Sequence, residues 1–335
     1  MKKSFKNLLS VSAVLVALFT VTGCSQEAPK EEVTGEVAGE TAGAVTTQPE
    51  AVEEAKTITV THELGETPVP VNPENVVVFD FGVLDALDYM GVEITGLPQS
   101  GTLPEYLSKF STDAYKNGGS LKEVDLEAVY EMQPGLIIIS GRQSDYYEEL
   151  SNIAPTIYMG IDNVNYLESF KENMTVLGQI FGKEDFVKAE LEKVEAAVAA
   201  LNEEVTAMDV NALITLVNDG SVSAYGQESR FGIIHNTFGF APADANIEVS
   251  THGQNVSFEY ISEINPDYLF VVDRGSAIGG ESSAQALLDN ELIHSTSADA
   301  NDQIIYLDPV VWYTAGGGFT STFKMIEEIQ TAIQK

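Results

Sequence analysis

Arginine is nearly missing from this chain. Among 335 residues and 17 basic side chains, only Arg142, Arg230 and Arg274 carry a guanidinium, against 51 acidic residues and a formal charge of −34. Lysine supplies the rest of the positive charge, so the arginines are too few to serve solubility and their positions carry information. Cysteine is scarcer still. Cys24 stands alone, which excludes an intrachain disulfide. The four histidines form no HExxH pair and no Cys/His cluster, so the common zinc patterns are absent. His62, His235 and His294 fit no ligand spacing, and His235 falls in an apolar stretch where it reads as a packing residue. No Gly-x-Ser-x-Gly elbow accompanies the serines, which leaves a secreted hydrolase as a distant alternative. The acidic balance argues against a nucleic-acid partner and against a basic membrane-binding face.

Lys2, Lys3 and Lys6 precede an apolar run over 8–19 that is short for a bilayer span. Val21-Thr22-Gly23-Cys24 ends the run with small residues before the cysteine. This is a secretory signal pattern, and its last four residues resemble a bacterial lipobox. The expectation is a signal over 1–23, a diacylglycerol on Cys24 and an acidic tether over 24–56; the alternative is an ordinary signal that happens to meet a cysteine. The tether is built from Glu, Gly, Thr, Ala and Pro, which bury too little apolar surface to offset their ordering entropy. About 280 residues remain, enough for two domains.

Two of the arginines occupy equivalent places in an internal repeat. Residues 125–142 read DLEAVYEMQPGLIIISGR and residues 257–274 read SFEYISEINPDYLFVVDR. Each runs helix, Pro, apolar strand, Arg, and Glu127 aligns with Glu259. Each lobe thus places an arginine just past the carboxyl end of a strand, where open α/β sheets bind ligands. Arginines converging from two lobes imply an anion held between them.

Apolar periodicity predicts strands over 76–79, 94–97, 136–140 and 156–158, with a helix over 82–90. The second half repeats the habit, with strands over 213–217, 268–272 and 304–307 and helices over 231–238 and 319–333. This alternation predicts an α/β fold of two Rossmann-like lobes with mainly parallel sheets, over 57–165 and 207–335. A helical connection over 166–206 joins them. Its second helix, 184–205, lacks Gly and Pro and would run roughly 33 Å. A helical joint predicts modest closure rather than a wide hinge swing.

The combination of VVVFDFGVLDALDYMGVEITGLP, VDLEAVYEMQPGLIIISGR, FGKEDFVKAELEKV, YGQESRFGIIH, HGQNVSFEYISEINPDYLFVVDRG and WYTAGGG resembles the helix-linked (class III) substrate-binding proteins of ABC importers. Within that class it is most similar to the siderophore-binding lipoproteins of the catecholate branch, including those for petrobactin- and enterobactin-type ligands. The likeness covers 57–335. It implies an extracytoplasmic, lipid-anchored monomer without an intrinsic cofactor or catalytic residues. Such a protein would capture a ferric catecholate siderophore between its lobes and deliver it to an ABC transporter permease dimer. A binding protein of the same fold for haem or a corrinoid is the alternative, although those ligands want a more apolar cleft and fewer cations. A purely structural surface lipoprotein would not explain the paired arginines.

The resemblance places Arg142, Arg230 and Arg274 in the ligand cleft, where they would read the charge of the ferric complex. The competing reading is surface ion pairing, which contributes little. His252 sits in a polar loop over 250–254 and Tyr313 in a loop over 309–314 before the glycines, and neither falls in an apolar periodic pattern. In the family, residues at these places complete the iron octahedron when a siderophore brings only four donors, and a phenolate oxygen suits hard Fe(III). A loop histidine and a ring-packing tyrosine are the bland reading. Trp312 would stack on catechol rings, or else anchor its own loop. Gly316-Gly317-Gly318 before a helix could cradle an anion or simply make a tight turn. Glu127 and Glu259, each in the first turn of a predicted helix, suit the macrodipole; in the family, one exposed glutamate per lobe docks on permease arginines.

Overall fold

The computed structural model describes residues 56–250, 252–281 and 283–334. The signal, Cys24 and nearly all of the tether lie outside these residues. An antiparallel hairpin of β1 (Thr57–His62) and β2 (Gly65–Pro70) leads into the first lobe. Its sheet holds β3 (Val76–Val78), β4 (Gly96–Leu97), β5 (Lys116–Asn117), β6 (Leu136–Ile139) and β7 (Thr156–Tyr158), all parallel, in the order β5-β4-β3-β6-β7. Helices α1 (Phe81–Tyr89), α2 (Leu126–Glu131) and α3 (Tyr147–Ser151) connect the strands. The strand expected over 94–97 forms only at its last two residues.

The connection is α4 (Tyr166–Phe181) followed by α5 (Glu184–Met208). Gly182 ends α4 in the left-handed region at φ 61° and Asp209 ends α5 likewise at φ 53°, the usual way to stop a helix. With 25 residues, α5 spans about 37 Å at 1.5 Å per residue. Its buried positions Val187, Leu191, Val194, Val198, Leu201 and Val205 recur every three or four residues, giving it one apolar stripe.

The second lobe contains β8 (Asn211–Asn218), β9 (Ser221–Tyr225), β10 (Ala241–Pro242), β11 (Gln254–Val256), β12 (Tyr268–Asp273) and β13 (Ile304–Tyr306). Their order is β11-β9-β8-β12-β13, with β10 on the end of β8. Strands β8, β12 and β13 are parallel, as expected, but β9 and β11 are antiparallel additions. The signal for them was Asp219-Gly220, both at positive φ, which turns β8 straight back into β9 as a two-residue hairpin. The helices are α6 (Ile233–Asn236), α7 (Phe258–Ile264), α8 (Arg274–Ala277), α9 (Ala284–Leu288), α10 (Glu291–His294), α11 (Ser297–Ala300), α12 (Pro309–Tyr313) and α13 (Phe319–Ile333). The helix expected over 231–238 shrinks to one turn. Phe231, Ile233, Ile234, Phe238 and Phe240 are all buried, and a single helix face cannot bury them all.

Strand alternation builds the core. Val76, Val78, Leu136 and Ile138 face one cluster, while Val77, Phe79, Ile137 and Ile139 face another. In the second lobe Ile214, Phe270 and Val272 join the first of these clusters, while Leu213, Leu269 and Val271 line a third. Both sheets are therefore covered on two faces, as parallel strands require, and one apolar cluster runs through both lobes. Helix α13 closes that cluster. It packs on α1 and α5 of the first lobe and connection, with the Phe319 ring 5.1 Å from Tyr89 and 5.6 Å from Phe170. Burying a phenylalanine of this kind contributes about 2–3 kcal/mol. The chain thus crosses between lobes twice, once through α4 and α5 and again into α13.

Candidate ligand cleft between the lobes

The repeat read in the sequence has a structural counterpart. Asp125 caps α2 and Ser257 caps α7, each accepting a backbone N–H of the first turn. Gln133 and Asn265 end these helices at φ 49° and φ 50°, each directly before a proline. Strands β6 and β12 follow, and then Arg142 and Arg274. Glu127 and Glu259 are exposed in the first turns of α2 and α7.

The carboxyl ends of β3, β6 and β7 open onto a cleft of ≈ 950 Å³ whose walls come from both lobes. Arg142 and Lys122 lie on the first-lobe side, Arg230, His252, Trp312 and Tyr313 on the other, and Asp80, Glu228 and Glu248 also reach it. Arg274 is not among the lining residues; it sits behind Tyr313.

All three arginines converge on Tyr313. Arg142 Nη2 donates to the Tyr313 carbonyl at 2.8 Å across the cleft, and Arg230 Nη2 donates to the same oxygen at 3.3 Å. Arg274 Nε donates to the Tyr313 hydroxyl at 2.9 Å, and its Nη1 donates to Asn218 Oδ1 at 2.7 Å. The Arg230 guanidinium also lies 4.2 Å from the centre of the Tyr313 ring, within cation–π range. None of the three pairs with a carboxylate among the described residues. The surface ion-pair reading therefore fails for all of them, although the chain is strongly acidic.

The segment holding Tyr313 is a helix, not the loop expected. Asp308 caps α12 by accepting the N–H groups of Val310 and Val311 at 3.0 and 3.1 Å, and Pro309 opens it. Asp-Pro before an apolar run was the legible helix-start signal. Tyr313 is the last residue of α12, so its carbonyl has no partner within the helix and is free to accept from the arginines. Burial pushes the Tyr313 phenol up, but the Arg274 hydrogen bond and the Arg230 charge outweigh it and hold the group below the ordinary phenol value. Burial also pulls the Arg230 guanidinium below its usual value, yet arginine stays charged in proteins.

Trp312 differs from the stacking expectation. It is 5% exposed, and its indole N–H donates to Glu328 Oε2 at 2.6 Å. It anchors α12 on α13 and offers the cleft little ring face. His252 is exposed at the cleft mouth; its backbone N–H donates to Ser250 Oγ at 3.3 Å.

The glycine triplet is no anion cradle. Asp85 of α1 already occupies the start of α13, its carboxylate accepting the N–H groups of Thr320 and Ser321 at 3.2 and 2.7 Å. A side chain on Gly318 would run into that carboxylate, and one on Gly82 into the Gly316 carbonyl. Only Gly317 needs a left-handed conformation, at φ 99°. The triplet is a close approach between α1 and the entry to α13.

The other histidines lie elsewhere. His62 bonds Thr67 in the hairpin at 3.0 Å, buried His235 bonds the Phe240 carbonyl at 3.0 Å, and His294 sits between Asp289 and Asp299. Among the described residues no group of three or more His, Cys, Asp or Glu side chains is placed to hold a metal ion.

A family model for periplasmic binding proteins matches residues 84–311. The petrobactin-binding protein YclQ of Bacillus subtilis is 50% identical over 282 residues, covering 83% of this chain and 89% of that protein. Its crystal structure superposes with a TM-score of 0.82, covering 84% of this chain and 99% of that one. The periplasmic catecholate-siderophore binding protein VctP of Vibrio cholerae superposes at 36% identity with a TM-score of 0.79, covering 82% and 100%. The ferric-anguibactin-binding protein FatB of Vibrio anguillarum is 30% identical over 334 residues, covering 97% and 98%. With its two α/β lobes, helical connection and interlobe cleft, the chain belongs to the periplasmic binding protein family.

Proposed function

We propose that this protein is the extracytoplasmic substrate-binding component of an ABC importer and captures a ferric catecholate-type siderophore in the interlobe cleft. The observation that carries the reading is the convergence of Arg142, Arg230 and Arg274 on Tyr313, with no carboxylate ion pair to any of them among the described residues. A ferric catecholate complex is anionic and flat-ringed. Guanidinium groups and a tyrosine at the wall of a roomy cleft match both properties. Among the described residues no group of three or more His, Cys, Asp or Glu side chains stands ready for a metal, which suits one that arrives with donors of its own. The name of VctP gives catecholate siderophores as its ligands, and that of YclQ gives petrobactin.

A siderophore with four donors leaves two iron positions open. His252 and Tyr313 are the residues proposed to fill them, with Tyr313 as a phenolate favoured by its arginine neighbours. The test is an absorbance titration of the purified mature chain against ferric catecholate, ferric hydroxamate, haem and cobalamin. Preferred binding of ferric catecholate is expected; tighter binding of haem or cobalamin would overturn the assignment. Tyr313→Phe and His252→Ala should each cost about 1–3 kcal/mol with a four-donor ligand and much less with a six-donor one. Equal losses would reject direct coordination. Anchoring through Cys24 is part of the proposal, and Cys24→Ala should move the protein from the membrane to the soluble fraction with binding intact. A variant that stays with the membrane after a salt wash would remove the anchor.

A further inference from the structure

Arg142 and Arg274 hold equivalent places in the repeat, yet they are not used alike. Arg142 reaches across the cleft and lines it. Arg274 instead bonds within the second lobe, donating from Nη1 to Asn218 and from Nε to the Tyr313 hydroxyl. The sheet explains the difference. Parallel pairing of β8 with β12 sets Val217 opposite Asp273, so the next residues, Asn218 and Arg274, leave adjacent strand ends together. Asn218 is held in turn, because the tight Asp219-Gly220 turn pairs its backbone with Ser221.

From the Asn218–Arg274–Tyr313 hydrogen-bond chain we infer that Asn218 and Arg274 are positioning residues. They fix the Tyr313 hydroxyl for donation to iron, and so set the preference for ferric complexes that leave coordination positions open. The inference rests on the reading of Tyr313 as an iron donor. It changes the role expected for Arg274, from reading ligand charge to orienting a ligating group. Residues that orient a metal donor typically change metal affinity by about 10–100-fold when removed. A charge-reading arginine behaves differently, weakening every anionic complex whatever its donor count.

The experiment measures two affinities for each variant of the full mature chain. One is for the ferric complex of a bis(2,3-dihydroxybenzoyl) diamine, with four oxygen donors. The other is for the ferric complex of a tris(2,3-dihydroxybenzoyl) triamine, with six. The readout is their ratio, together with the charge-transfer band of the four-donor complex. Asn218→Leu and Arg274→Gln should each lower the four-donor to six-donor ratio by about tenfold and shift the band as Tyr313→Phe does. Asn218→Asp keeps an oxygen for Arg274 and should hold the ratio within about twofold of wild type, even where its added charge weakens both complexes. Arg142→Gln should weaken both complexes, and the trianionic six-donor complex at least as much as the monoanionic four-donor one, so the ratio should not fall. If Tyr313→Phe collapses the ratio while Asn218→Leu and Arg274→Gln preserve it, the positioning role is overturned and the iron-donor reading stands. If Tyr313→Phe itself leaves the ratio unchanged, the iron-donor reading falls and the positioning role with it. Should Asn218→Leu fold poorly, Arg274→Gln and Asn218→Asp decide the matter alone.

Discussion

Asp85 is a carboxylate 1% exposed on the buried face of α1. It survives there because the N–H groups of Thr320 and Ser321 bond it and the start of α13 points at it. Burial nevertheless dominates and raises its pKa above the ordinary aspartate value, despite those hydrogen bonds. The sign of the pH dependence follows. Between the ordinary and the raised value the folded state holds more proton than the unfolded state, so this group's contribution falls as pH rises through that window. Asp85→Asn cannot ionise. The stability difference, wild type minus Asp85→Asn, should therefore decline as pH rises above the ordinary aspartate value of about 4 in urea denaturation. A difference that grows with pH would mean that the hydrogen bonds win and the pKa is depressed.

At the scale of elements, the contact between α1 and the entry to α13 depends on two backbones without side chains between them. A methyl at Gly82 would collide with the Gly316 carbonyl, which is backbone and cannot swing away. Gly82→Ala should therefore destabilise the protein by about 1–3 kcal/mol through overpacking, although alanine is the better helix former. Thermal unfolding measures this, and unchanged or raised stability would show that the two helices separate easily. Helix α12 is stiffened by the same neighbourhood, since Trp312 and the Asp308 N–H both bond the Glu328 carboxylate, at 2.6 and 2.7 Å. The platform that carries Tyr313 is thus fixed to α13, and α13 to the first lobe.

For the whole molecule, two crossings and one shared apolar cluster oppose a wide opening. Closure on ligand should be small, of the shear kind. Because Cys24 is the only native cysteine, Glu131→Cys with Glu263→Cys in a Cys24→Ala background places spin labels at exposed equivalent sites of α2 and its repeat partner. Their separation should move by no more than a few ångströms on binding the ferric complex; a displacement of a lobe width would refute the double crossing as a restraint. The same two helices present Glu127 and Glu259, which we propose meet arginines of the importer's permease dimer. Glu127→Arg with Glu259→Arg should abolish uptake and spare binding, because reversed charges would face like charges. Normal uptake by that double variant would dismiss the docking role.

Local chemistry alone determined the two-lobe α/β plan, the helices α4 and α5, and the placement of Arg142 and Arg274 at strand ends. Each rests on a short-range rule: apolar period, an uninterrupted run of helix formers, or a repeat that keeps Pro and Arg in register. Only the tertiary structure decided what those parts touch. The sequence does not reveal that Arg274 faces Asn218, because that depends on the pairing of β8 with β12, which are 50 residues apart in the chain. It does not reveal that Trp312 is an anchor, because Glu328 reaches it from a different helix. The helix over 319–333 was legible, but its return to the first lobe was not. An amphipathic pattern shows that a face will be buried, and the partner that buries it is settled by long-range packing.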